Sequence, residues 1–496
     1  LGQPVDLLII GGGINGAGIA RDAAGRGLSV LLVEQDDLAA HTSSASSKLI
    51  HGGLRYLEHG EFRLVREALA ERERLLAIAP HIIRPLRFVL PHDGSLRPAW
   101  MIRLGLFLYD RLGGNRRLAG SVPLRFAEAP EGAPLKPGIA RGFAYSDCAV
   151  DDSRLVVLNA LDAAERGAVI RTRTRLVAAR RCSGLWRAEL QPAGGEREIV
   201  TARAIVNAAG PWVASVLRER LGAAASVPVR LVKGSHVVVN RLYPGDHAFI
   251  LQNPDRRIVF VIPYQGAFTL IGTTDLPFAG EPGPTAIEPA EIDYLLDSVG
   301  RWFRRPVDPA TIVWSYSGIR PLHGAAAEDA ASVTRDYLLE LDGGASPPLL
   351  SVFGGKITTY RRLAEHALAM VLPLLGLRSS AWTDAAPLPG GDIPRGDPEA
   401  FAADLTARHE FLPAELARRL AHGYGTRADV VLGGATRLAD LGADFGLHLH
   451  RAEIDYLVRH EWARTAEDIL WRRTKLGLRL PAGAAERLDR YLGGHT

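Results

Sequence analysis

A chain of 496 residues with 47% hydrophobic content is long enough for two or three domains with filled cores, which excludes a disordered or low-complexity protein. Its 59 basic and 55 acidic residues leave a net charge of only +4 with no run of like charge, which argues against a nucleic-acid-binding surface. The two cysteines, Cys148 and Cys182, form neither a CxxC pair nor a secreted disulfide framework, so no metal or iron–sulfur ligand set is expected and a reducing, cytoplasmic setting fits.

The first residues enter a strand without a signal-like segment, and nowhere do about 18 uncharged apolar residues follow one another, so neither export nor a membrane span is expected. Val5–Ile10 reads as a buried strand that runs into Gly11-x-Gly13-x-x-Gly16, a helix to about Arg26, and a second strand ending at Glu34. This is a βαβ unit with a dinucleotide fingerprint. Gly11 permits the tight turn, Gly13 lets the backbone near Ile14 and Asn15 approach a pyrophosphate, Gly16 allows close packing, and Glu34 can accept from ribose hydroxyls.

The stretch "SSASSKLIHGGLRY" (43–56) sets Ser46, Ser47, Lys48, Leu49, His51 and Arg55-Tyr56 around the Gly52-Gly53 pair. By itself it reads as a polyanion site or as a solvated basic helix start. Residues 98–114 form a mostly apolar helix with Arg103, Asp110 and Arg111 on about one third of its circumference, either interfacial or buried in a core or dimer contact. Residues 167–181 are strand-like, and the backbone at Val177 could lie along an adenine. The strand and turn at 202–217 bring Ala208, Gly210 and Trp212 back to the first sheet. Residues 234–242 and 257–278 alternate like antiparallel strands and contain His236, Thr273 and Thr274. Gly318 and Arg320 follow in "SGIRPL". "LLSVFGGKITTYR" (349–361) is a strand, a Gly354-Gly355 turn and a helix start at Lys356, Thr358 and Thr359, whose amides would favour negative charge. A proline- and glycine-rich segment, 382–400, then precedes a remainder with helix-period apolar stripes. Only five lysines occur, and scarcity directs attention to Lys48, Lys233 and Lys356, while Lys136 and Lys475 read as chance.

Taken together, GGGxxGxG, "SSKLIHGGLRY", "NAAGPW", "GTTD", "SGIRPL" and "GGKITTYR" closely resemble the membrane-associated, FAD-dependent glycerol-3-phosphate dehydrogenases, within the D-amino-acid-oxidase-like flavoproteins. The resemblance implies an α/β fold. A Rossmann-like FAD-binding domain would be interleaved, over 1–381, with an antiparallel substrate domain mainly from 80–150 and 225–320. A linker at 382–400 and an all-helical domain at 401–496 would follow. It implies FAD held non-covalently by Gly11, Gly13, Ile14, Asn15, Gly16, Glu34, Ser46, Ser47, Lys48, Leu49, Gly52, Gly53, Val177, Ala208, Gly210, Trp212, Gly318, Gly355, Lys356, Thr358 and Thr359. His51 would be a packing histidine rather than a covalent flavin anchor.

Arg55, Tyr56, Thr273, Thr274, Arg320 and Lys356 would bind sn-glycerol 3-phosphate. Arg320 and Lys356 would stabilise charge during its oxidation at C2 to dihydroxyacetone phosphate, and His236 is a candidate proton acceptor at its ordinary pKa. Electrons would pass to a membrane quinone from a peripheral enzyme on the cytoplasmic face, with a homodimer compatible. The alternatives are an oxygen-using glycerol-3-phosphate oxidase, an amine or amino-acid oxidase of the same superfamily, and a non-catalytic flavin sensor.

Overall fold

The computed structural model describes residues 3–94, 98–114, 117–224, 227–323, 336–342 and 347–494. Its first sheet grows from strands that are apolar on both faces, as a parallel sheet covered on each side requires. In spatial order these are Tyr337–Asp342, Leu349–Gly354, Glu198–Asn207, Val5–Ile10, Val30–Val33 and Val169–Arg171. Along this order all neighbours are parallel except the edge strand Tyr337–Asp342, and the first half of Glu198–Asn207 also pairs antiparallel with Leu185–Pro192. The helices Ile14–Gly25, Asp152–Glu165 and Tyr360–Val371 pack on one face through Ala17, Ala20, Leu158 and Leu363. A hairpin, Thr174–Cys182 with Leu185–Pro192, covers the other through Leu176, Trp186 and Leu190. The carboxyl ends of Val5–Ile10, Val30–Val33 and Glu198–Asn207 therefore open together, the position at which such sheets take ligands.

The second sheet has ten strands, most of them from 83–150 and 229–323. Its expected antiparallel character holds for most pairs, but Ala248–Gln252 runs parallel to Ile83–His92, with Ala248 opposite Phe88 and Phe249 opposite Val89. The sheet is thus mixed. These two strands belong to excursions separated by a return to the first sheet, so no hairpin forces them antiparallel. Helix Pro289–Trp302 covers one face, and helices Phe62–Ile78 and Ala99–Leu112 pack on the other.

Residues 382–400, expected to act as a linker, are packed against the first domain. Trp382 donates to the Asp22 carbonyl and lies under Arg21 and Arg166, Thr383 is buried against Arg361, and Leu388 joins the main core. Proline and glycine here shape a strap, because a segment may lack regular structure and still bury its side chains. Beyond it the helices Pro398–Arg408, Ala414–Tyr424, Arg451–Glu461 and Ala484–Gly493 enclose a separate core built on Leu405, Leu420, Ile454, Leu457 and Leu488.

This helical unit is joined to the first domain by buried ions. Arg154 pairs with Glu461, Asp37 holds both Arg472 (2.7 Å) and Arg473 (2.7 Å), and Asp468 takes Arg173 at 2.6 Å. Lys475, read from sequence as incidental, is buried with its ammonium on Ser153 and the Trp471 carbonyl.

Candidate active site

At the open end of the first sheet a cavity of about 270 Å³ is lined by Gly11, Gly13, Glu34, Ser43, Leu176, Ala208, Gly210 and Trp212. A Cβ on Gly16 would stand 1.9 Å from the Gly11 carbonyl oxygen, so only glycine lets the first helical turn close on the loop. Glu34 is buried and accepts from the amides of Gly12 (2.7 Å) and Asp36 (2.9 Å). Burial raises its pKa, and these amides and His41 act in the opposite sense. Asn15 donates to the Gly354 carbonyl at 3.1 Å and thereby ties the fingerprint helix to the Gly354-Gly355 turn, while its Oδ1 is buried without a partner. A glycine cradle at the helix N-terminus fits the pyrophosphate of FAD, and the acidic side chain at the strand end and the unmet Asn15 acceptor suit its hydroxyl groups.

Several expected contacts are redistributed. Ser46 Oγ donates to Asp152 at 2.8 Å, and Lys48 Nζ lies 2.9 Å from both Asp152 oxygens and donates to the Ser44 carbonyl at 2.8 Å. Neither residue lines this cavity, and the Lys48 charge is matched inside the protein by Asp152. Ser43, which sequence reasoning passed over, instead accepts from Ile14 N–H at 3.0 Å at the helix N-terminus. His41 and Thr42 also line the cavity, and His41 meets Trp212 edge-on at 4.6 Å. The run of hydroxyl residues was a visible signal; which of them faces the cleft is set by the tight turn Thr42–Ser44. Val177 is the bulged residue of its strand, with its carbonyl accepting from Arg220, so Thr174, Arg175 and Leu176 line the cavity in its place. Leu49 is a buried strand residue paired with Ala149.

The turn at His51 and Gly52 is fixed from two directions. His51 N–H donates to Thr358 Oγ1 at 3.3 Å, and Gly52 N–H donates to Tyr109 Oη at 2.8 Å. Tyr109 in turn donates to Asp147, which pairs with Arg72 at 2.7 Å. Burial pushes the Asp147 carboxyl up to about 6 against the pull of Arg72. Tyr109 thus connects helix Ala99–Leu112 to the turn at Gly52. Thr359 lies beside Thr358, at the end of the short turn Ile357–Thr359.

Among the residues expected at the substrate, Lys356 Nζ lies 4.0 Å from the Tyr56 ring centroid, and Arg55, next to Tyr56 in the chain, is half-buried on Leu54–His59. Strand Ile312–His323 brings Gly318 against Ala45, and its Arg320 donates to Thr273 Oγ1 (3.3 Å) and the Thr274 carbonyl (3.1 Å). Gly234, not singled out from sequence, makes room for that guanidinium, because a Cβ there would stand 2.0 Å from Arg320 Nη2. Thr274 is withdrawn from the expected substrate role. Its hydroxyl is buried, donates to Glu291 at 2.7 Å and accepts from Ser235 N–H. Lys233 belongs to the same internal cluster, pairing with Glu288 and Glu291, rather than to the active site.

His236 stacks on Tyr316 with centroids 4.8 Å apart, and its Nε2 lies 3.0 Å from Ser47 Oγ. Its pKa is not the ordinary one expected from sequence. Burial first, then Arg320 and Lys48, hold the imidazole well below its usual range, so it is neutral near pH 7. The unfolded chain therefore takes up this proton first on acidification. The contribution to stability is full above about pH 6.5 and is lost as pH falls below it. Thermal unfolding of the flavin-loaded protein should shift downward between about pH 7 and pH 5, and His236→Gln should flatten that slope.

The chain matches the model of the FAD dependent oxidoreductase family over residues 6–361 and that of the C-terminal domain of alpha-glycerophosphate oxidase over residues 381–492. It is 56% identical to a glycerol-3-phosphate dehydrogenase of Pseudomonas aeruginosa, covering 99% of this chain and 96% of the relative. It is 52% identical to the aerobic glycerol-3-phosphate dehydrogenase of Escherichia coli, covering 99% and 98%. A D-erythritol 1-phosphate dehydrogenase of Brucella abortus is also 52% identical, covering 96% and 95%. Among solved structures, the glycerol-3-phosphate dehydrogenase of Bacillus halodurans complexed with FAD superposes with a TM-score of 0.78 at 26% identity, covering 99% of this chain and 94% of the other. With the glycine cradle and the buried Glu34 in place, and with relatives this similar over the full length, the chain belongs to the FAD-dependent glycerol-3-phosphate dehydrogenases.

Proposed function

We propose that the protein oxidises the C2 hydroxyl of sn-glycerol 3-phosphate to the ketone of dihydroxyacetone phosphate. The observation that supports this reading is a dinucleotide cradle accompanied by two cations on neighbouring elements, Arg320 on strand Ile312–His323 and Lys356 just past the end of strand Leu349–Gly354. Bound FAD, held without a covalent link, supplies the two-electron acceptor for the C2 hydrogen. Arg320, a permanently charged planar fork, binds substrate oxygen and orients it, and Lys356 places a compact ammonium at the developing alkoxide. The neutral His236 and its partner Ser47 offer a route for the hydroxyl proton. Lys356→Arg should lower kcat about tenfold or more despite conserving charge, since a guanidinium cannot occupy the ammonium position above Tyr56 without displacing substrate.

The electron acceptor in this reading is a membrane quinone. Support comes from helix Ala99–Leu112, which buries Leu106 and Tyr109 while Trp100 (68% exposed), Leu104 (49%) and Phe107 (46%) point outward. No helix among the described residues is long and apolar enough to cross a membrane, so contact with lipid would be made by this face, at the cytoplasmic surface. Two assays test the reading. Turnover should be faster with sn-glycerol 3-phosphate than with D-erythritol 1-phosphate; the reverse preference would reassign the substrate. The protein should co-float with liposomes and lose that behaviour on Leu104→Ser with Phe107→Ser. Failure to float, with stoichiometric hydrogen peroxide from oxygen, would favour an oxidase.

A further inference from the structure

The helical domain carries a side-chain cluster with no part in the flavin site. Asp444, His448 and His450 each present a ligand atom, all within 4.8 Å of one another. They come from a hairpin in which Asp444 bridges antiparallel to His450 and Arg451 N–H donates to the Ala443 carbonyl. His450 is buried, its Nδ1 facing the Gly442 carbonyl at 3.2 Å. Its Nε2 is buried too and meets no hydrogen-bonding partner. A ring nitrogen left unmet while the other is fixed on a carbonyl is the arrangement metal-binding imidazoles adopt, with the second contact setting tautomer and orientation.

The His448 ring lies nearly parallel to that of His450, with centroids 6.2 Å apart and an interplanar angle of 24°. Zinc–nitrogen bonds of about 2.0–2.1 Å in a tetrahedral set separate ligand atoms by roughly 3.4 Å, so side-chain shifts of about 1 Å would close the cluster on one ion. Two of the nearby guanidinium groups face carboxylates of their own. Arg419, which donates to the His448 carbonyl at 2.7 Å, pairs with both oxygens of Glu453 at 2.6 and 2.7 Å, and Arg451 lies 4.0 Å from Asp455.

We propose that Asp444, His448 and His450 form a binding site for a borderline divalent cation of the zinc type, with solvent as the fourth ligand. Two imidazoles and one carboxylate suit zinc better than magnesium or calcium, which prefer oxygen ligands. The ion would clip the hairpin at the start of helix Arg451–Glu461, whose far end carries the Glu461 pair to Arg154.

The test is equilibrium dialysis of the chelator-stripped, flavin-loaded full chain against Zn2+. One ion per chain should be retained, with a rise in the thermal midpoint, and Co2+ in its place should show the visible absorption of a tetrahedral site. His450 is buried, so half-buried His448→Ala and exposed Asp444→Asn carry the comparison. Each should weaken Zn2+ affinity at least about tenfold and abolish the thermal shift, leaving flavin content and turnover unchanged. No retained zinc in the parent protein would overturn the proposal. So would equal retention in both variants, which would put the ion at another cluster such as Glu34, Asp36 and His41 in the cofactor cleft.

Discussion

Replacing Arg320 with alanine is expected to lower kcat/KM for sn-glycerol 3-phosphate by about 2–5 kcal/mol, since a desolvated anion loses a charged partner. Flavin content should be almost unchanged. Arg320 sits on the second sheet, held by Thr273 and the Thr274 carbonyl, whereas the cofactor cradle is built on the first. Stopped-flow and steady-state kinetics on the flavin-loaded variant read the effect. A variant with near-native kcat/KM would show the guanidinium to be a structural brace for the Thr273-Thr274 turn. Gly234→Ala should act in the same direction by displacing the guanidinium it now accommodates.

The largest effect on stability is expected at Glu461. Its carboxylate is fully buried against Arg154, which is 1% exposed, and Arg473 Nε stands 3.8 Å away. Glu461→Ala would leave Arg154 as an uncompensated buried cation, a change that typically costs about 3–5 kcal/mol. The thermal midpoint of the flavin-loaded protein should fall markedly. Limited proteolysis should release the helical domain at or near the strap Trp382–Pro389, whose packing against the first domain would loosen. A change no larger than that of an exposed control, Arg408→Ala, would mean that the ionic junction is stabilised by other contacts.

Local constraints were the legible part of the sequence. Gly11, Gly13, Gly16 and Glu34 lie within one βαβ unit, where each requirement falls on a backbone position a few residues from the next. Side-chain destinations were not legible, because partners come from distant segments. Lysine scarcity drew attention to Lys48, Lys233 and Lys356 and passed over Lys475, and it could not say where any of them is used. Lys356 faces Tyr56 at the site, while Lys48 finds Asp152, 104 residues away, and Lys475 finds Ser153, 322 residues away. Thr274 looked like a substrate contact because the resemblance placed the GTTD segment there, but the buried Glu291 claims its hydroxyl from a helix 17 residues on. The parallel pairing of Ala248–Gln252 with Ile83–His92 likewise depends on how excursions from the first sheet stack, which strand patterning does not encode.

The most direct measurement of the central claim is anaerobic reduction of the bound flavin by sn-glycerol 3-phosphate, followed by its absorbance in a single turnover. The account predicts rapid and complete bleaching in the native protein, formation of dihydroxyacetone phosphate in equal amount, and strongly slowed bleaching with Arg320→Ala at the same flavin content. A protein that binds FAD but keeps its oxidised spectrum with saturating sn-glycerol 3-phosphate would contradict the account.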